Sequence, residues 1–106
     1  MVSRMKIKLF ARDIEPIKVD DNSRQLDTSL VGVCKNYENK IYFDNSHPFV
    51  TLLHEIKHTH IFAAGYSQLN SYTREGVCDT FAACIDQLML ENGNDIFIKL
   101  KDFAEE

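Results

Sequence analysis

The stretch from Asn45 to Gly65 constrains the fold of this chain more than any other, because it carries the start, the face and the stop of one helix. In Asn45-Ser46-His47-Pro48 a cap residue precedes a proline, which suits the first helical turn, where an amide hydrogen would have no intrahelical acceptor. At about 100° per residue, Phe49, Leu52, Leu53, Ile56 and Ala63 fall on one broad arc, and Gly65 follows as a stop. The spacing predicts a helix over about 48–64 with that arc on a core. His54 and His58 lie roughly opposite the arc, so the helix presents two imidazoles off its main apolar stripe. His60 falls on the apolar side and reads as an ordinary core or surface histidine, and His47 as part of the helix start.

Around this helix there is room for one domain. The chain has 106 residues, 44% of them apolar and 26% charged, enough for one modest core. Before the helix, Met5 to Val19 alternate loosely and suggest two short strands, or one strand and an extended arm, interrupted at Asp13 and Pro16. A polar stretch from Asp20 to Ser29 reads as a loop. Leu30 to Cys34 and Lys40 to Asp44 then flank Asn36-Tyr37-Glu38-Asn39 as a β-hairpin. After the helix comes a polar connection, Tyr66 to Ser71, and a second helix over about 72–91 with Val77, Cys78, Phe81, Cys84, Ile85, Leu88 and Met89 on its apolar face. Asn92-Gly93-Asn94 closes it, and Asp95 reads as the cap of a short C-terminal helix, although Ile96-Phe97-Ile98 also suits a strand. Strands followed by helices argue an α+β fold, with an antiparallel or mixed sheet of three or four short strands.

Composition removes several classes of function. A formal charge of -4, with lysine and arginine scattered along the chain, leaves no basic surface of the kind that binds nucleic acid. The N-terminal apolar alternation is too short for a signal sequence or a membrane span, so the expectation is a cytoplasmic protein without a membrane partner. Cys34, Cys78 and Cys84 form no C-x-x-C pair and read as small buried hydrophobes rather than as disulfides or thiolate ligands.

The chemistry is concentrated in His54-Glu55-Ile56-Lys57-His58, an H-E-x-x-H pentapeptide. A hydrolytic zinc ion takes three protein ligands and keeps one open position for water. Histidines at i and i+4 share a helix face and supply two ligands, while Glu55, rotated about 100° from His54, flanks the open position as general base. The best candidate for the third ligand is Glu75, near the start of the second helix. Asp79, one turn further on, can accept the Nδ1 proton of a ligand histidine and hold its tautomer. Tyr66 and Tyr72 are candidates for stabilising the oxyanion that develops on a scissile carbonyl. The strand Lys40 to Asp44, read as a sheet edge, offers its backbone to an extended peptide.

Thr51-Leu52-Leu53-His54-Glu55-Ile56-Lys57-His58, with the strand Ile41-Tyr42-Phe43-Asp44 before it and Glu75 and the helix Val77 to Leu88 after it, resembles the minimal core of the gluzincins. It is most similar to the small phage and mobile-element metallopeptidases of the ImmA/IrrE type, over roughly residues 30 to 92. The resemblance implies a zincin-like domain and one Zn2+ per chain, bound by His54, His58 and Glu75 with Glu55 as base. It also implies hydrolysis of a peptide bond in a protein or peptide substrate, which in such proteins can be a repressor. Lys57 departs from the family pattern, where a small or apolar residue is usual. The alternative is a zincin-fold module that holds zinc for stability or recognition without hydrolysis, and beyond that a metal-free structural protein.

Overall fold

The computed structural model describes residues 4–19, 32–63 and 74–106, with the side chains of 74–79 outside the description. Four strands and three helices follow in that order: β1 (Ile7–Leu9), β2 (Arg12–Lys18), β3 (Gly32–Lys35), β4 (Lys40–Phe43), α1 (Pro48–Ala63), α2 (Arg74–Asn92) and α3 (Ile96–Ala104). The α+β order expected from the alternation patterns is therefore present. The sheet is mixed, in the order β1-β2-β4-β3. β1 pairs antiparallel with β2, β2 parallel with β4, and β3 antiparallel with β4.

Two strands, rather than one strand and an arm, form at the N-terminus. They are joined by a two-residue turn, Phe10-Ala11, in which both residues have positive φ, at 49° and 65°. Neither residue favours that conformation, so no turn signature marks it in the sequence. Asp13 and Pro16 do not interrupt β2. The last β1 partner is Ile7, opposite Ile14, so Pro16 lies beyond the end of β1, where a missing amide hydrogen disturbs no ladder on that side. The expected hairpin of β3 and β4 closes through a 3-10 turn, Asn36–Glu38, and Asn39 at φ 56°.

One correction follows from the strand order. Lys40 to Asp44 is not an edge, because β4 lies between β2 and β3. The parallel β2–β4 pairing, extended by Glu15 N–H to Asn39 O and Val19 N–H to Phe43 O, both at 2.9 Å, places it inside the sheet. Its residues Ile41, Tyr42, Phe43 and Asp44 are all buried. The two edges are β1 and β3, and they are treated differently. Asn92, at the end of α2, accepts from Lys8 N–H at 2.8 Å and donates to Lys8 O at 2.8 Å, pairing with β1 as a neighbouring strand would. Glu91 accepts from the amides of Phe10 and Ala11 at 2.8 and 3.3 Å. Among the described residues β3 pairs only with β4.

One face of the sheet packs on the helices. Ile7, Leu9, Ile14, Ile41 and Phe43 meet Leu52 and Ile56 of α1, Cys84 and Leu88 of α2, and Ile96, Leu100, Phe103 and Ala104 of α3 in a single cluster. α3 is a helix, which settles the helix-or-strand choice at Ile96-Phe97-Ile98. Asp95 stands at its N-cap position but makes no capping side-chain bond, and pairs instead with Lys99 at 3.4 Å. α2 ends at Gly93, whose φ of 96° and N–H to Met89 O bond at 2.9 Å are those of a glycine stop. Phe81, expected on the apolar face of α2, is 56% exposed, while Cys84 and Leu88 are buried as expected. Among the described residues no helix is long and apolar enough to cross a membrane.

Candidate metal centre

α1 begins as its sequence dictates. Asp44 accepts from Ser46 N–H at 3.0 Å and from the Ser46 hydroxyl, turning the chain out of β4. His47 O then accepts from Thr51 N–H at 2.9 Å, so Pro48 takes the first helical position, where its lack of a donor does no harm. This sets the rotation of the helix on the sheet. Leu52 and Ile56 enter the core, and His54 and His58 are left exposed on the other side.

The two imidazoles converge. Their Nε2 atoms are 3.1 Å apart and their rings meet edge to face at 71°, with centroids 4.8 Å apart. One ring nitrogen donates to the other. A zinc ion with Zn–N bonds of about 2.0–2.1 Å and tetrahedral angles needs its nitrogens about 3.3 Å apart. The observed separation is close to that, and a small rotation of either ring supplies the rest. A carboxylate oxygen of Glu55 belongs to the same group, all its ligand atoms lying within 4.8 Å of one another. Two imidazoles beside a carboxylate suit zinc and other divalent ions of the first transition row.

Glu55 differs from the histidines in its surroundings. It is 8% exposed, held between α1 and the start of β3. Burial raises its carboxyl pKa above the ordinary value, and His54 and His58 pull it partly back. A carboxylate held this way is a stronger proton acceptor than a solvated one, as a general base requires. Beside it, the Thr59 hydroxyl donates to Glu55 O at 3.2 Å and lies 2.8 Å from Cys34 Sγ of β3, and Cys34 bonds Asn36 Oδ1 at 2.8 Å. Burial and the nearby Glu55 charge push the Cys34 thiol up, against the Thr59 bond and the Arg12 guanidinium, so it stays protonated at neutral pH. Cys84 is buried and its thiol is pushed up to about 11, chiefly by burial. Both cysteines behave as packing residues.

His54, Glu55 and His58 are thus brought together. Glu75 and Asp79 fall within α2, which packs against α1, but their side chains lie outside the described residues. Tyr66 and Tyr72 also lie outside them. His60 is buried, 5.5 Å from the Phe10 ring, and takes no part in the pair. Lys57, where the chain departs from the family it resembles, lies within electrostatic reach of Cys84. Its Nζ is buried without a hydrogen-bond partner among the described residues, and burial lowers its pKa. Sequence reasoning missed Gly32, Thr51 and Thr59, which seat β3 against the helix beside Glu55. A glycine within the expected strand Leu30 to Cys34 was the one signal present. Comparison with protein-family models, with curated proteins and with solved structures returns no match for this chain.

Proposed function

We propose that this protein is a zinc-dependent peptidase of zincin-like architecture, with the metal held by His54, His58 and Glu75. The observation that carries the reading is the convergence of two Nε2 atoms 3.1 Å apart on an exposed helix face, with a buried glutamate beside them. A bound zinc supplies Lewis-acid polarisation of the scissile carbonyl and a water that is acidic near neutral pH. Glu55 would take one proton from the attacking water as the water oxygen bonds to the carbonyl carbon, and would pass it to the amine as the C–N bond breaks. Asp79 steadies a ligand imidazole through its Nδ1 proton, and Tyr66 or Tyr72 donates to the oxyanion. The substrate is an extended segment of a protein or peptide, a repressor among the candidates, aligned on the side of β3 away from β4. That edge is supported by the pairing of Asn92 and Glu91 with the other one, and by β3, beside Glu55, pairing only with β4 among the described residues.

The test is Glu55→Gln beside the wild type, with metal analysis of natively purified protein. The wild type carries about one zinc per chain and cleaves a library of fluorophore–quencher decapeptides, whereas the variant keeps the zinc and loses cleavage. Absence of bound metal from the wild type overturns the reading, as does cleavage by the variant. Glu75→Ala lowers the metal content if the third ligand is correctly assigned. A second reading, a module that holds zinc for stability or recognition, rests on the openness of the histidine pair, since both rings are exposed. Zinc retained without turnover on any peptide supports it.

A further inference from the structure

Gly32 opens β3 where the strand crosses α1, and the space above its Cα is filled by the helix. A Cβ built there would stand 2.5 Å from Thr51 Cγ2, 3.2 Å from Glu55 Cγ and 3.4 Å from Tyr42 O. The first distance is far inside van der Waals contact, and the second is tight. Both atoms belong to side chains that are almost fully buried, Thr51 at 6% and Glu55 at 8% exposure, so neither has free space to move into. Two residues further along, Cys34 and Thr59 make the 2.8 Å contact that ties the same strand to the same helix. The seam between β3 and α1 is therefore closed at one end by a missing side chain and at the other by a polar contact. Both ends bracket Glu55.

We propose that Gly32 is a positioning residue of the candidate site: its bare Cα is the floor that fixes the direction of the Glu55 side chain beside the histidine pair. This rests on the peptidase reading. His54, Glu55 and His58 share one helix, so a shift of β3 leaves the two metal ligands in place. What the shift changes is the support beneath the Glu55 stem. Gly32 thus acts on how the base and the substrate meet, and not on metal binding.

The experiment compares wild type, Gly32→Ala, Thr51→Ser and the double variant. Thr51→Ser removes the methyl that a Cβ at position 32 would strike and keeps the hydroxyl. Zinc content stays at about one per chain in all four. With decapeptide substrates, a misplacement of this kind lowers the kcat of Gly32→Ala roughly 100-fold, and the double variant recovers most of it. Crystal structures of the zinc-free proteins read the geometry without reference to activity. The Glu55 carboxylate leaves the neighbourhood of the two Nε2 atoms in Gly32→Ala and returns in the double variant. Should Gly32→Ala fail to fold, Gly32→Ala and Gly32→Ser, both in the Thr51→Ser background, keep the comparison, with loss graded by the residual overlap. An unmoved carboxylate with unchanged kcat in Gly32→Ala overturns the proposal, as does loss of zinc in step with loss of kcat. A wild type without turnover, but with the carboxylate displaced in Gly32→Ala, overturns the peptidase reading and leaves the positioning role of Gly32 standing.

Discussion

Three histidines of one helix end in different surroundings because each successive residue turns about 100° around the axis. His54 and His58 reach the exposed face, while His60 is turned inward and is 1% exposed. Burial, with the Lys57 charge adding to it, lowers the pKa of His60. A histidine whose folded pKa lies below its ordinary value of about 6.5 stays neutral in the fold while the unfolded chain takes up a proton. Its contribution is complete above that value and is lost as pH falls below it. Urea midpoints should therefore decline as pH drops from about 6.5, and His60→Leu should flatten that part of the curve. An unchanged slope would show that His60 protonates without cost. The positions of the three rings were legible in the sequence because helical periodicity alone sets them. The partners of His60, Phe10 among them, were not, since they come from the far end of the chain.

At the scale of elements, helices were read more closely than strands. α1 was expected over about 48–64 and runs Pro48–Ala63, because its start and its apolar arc are local. The edges of the sheet were not legible, because strand order depends on which strands meet and not on their composition. β4 reads as an edge from its hairpin with β3 and becomes interior only when β2 pairs with it in parallel. The β1–β2 turn makes the same point, since Phe10 and Ala11 hold positive φ while Glu91, from α2, accepts both of their amides. Asn92 makes three side-chain bonds, two to Lys8 and one to Leu88 O. Its loss in Asn92→Ala should destabilise the fold by about 1–2 kcal/mol, measured by urea unfolding. Glu91 is opposed by desolvation, but hydrogen bonds from Gln87, Phe10 and Ala11 and the charge of Lys8 lower its pKa overall. Its stabilisation is therefore present above the ordinary glutamate value and is lost as pH falls through the folded one. Glu91→Gln should lose stability at neutral pH and remove that acid-side slope.

For the whole molecule, the core and the histidine pair occupy opposite sides of α1. The buried cluster is complete without His54 and His58, which are exposed. Metal removal should therefore lower stability without unfolding the chain. Chelation with EDTA is expected to leave the far-UV circular dichroism intact while lowering Tm. The loss is set by binding to the folded state alone, about 2.7 kcal/mol for free zinc at 100 times its Kd. Unfolding on chelation would instead make the metal part of the core, and an unchanged Tm would argue that no metal was bound.

The sequence by itself determined the helix that carries His54, Glu55 and His58 and the face on which the two histidines stand. It also determined the α+β order of elements. These depend on contacts between residues a few positions apart, whose geometry the backbone repeats. Only the tertiary structure decided that β4 is interior, that Asn92 closes one sheet edge, and that Gly32 lies against Thr51 and Glu55. Those contacts join residues distant in the chain, and their distances follow from how the layers pack rather than from any spacing along it.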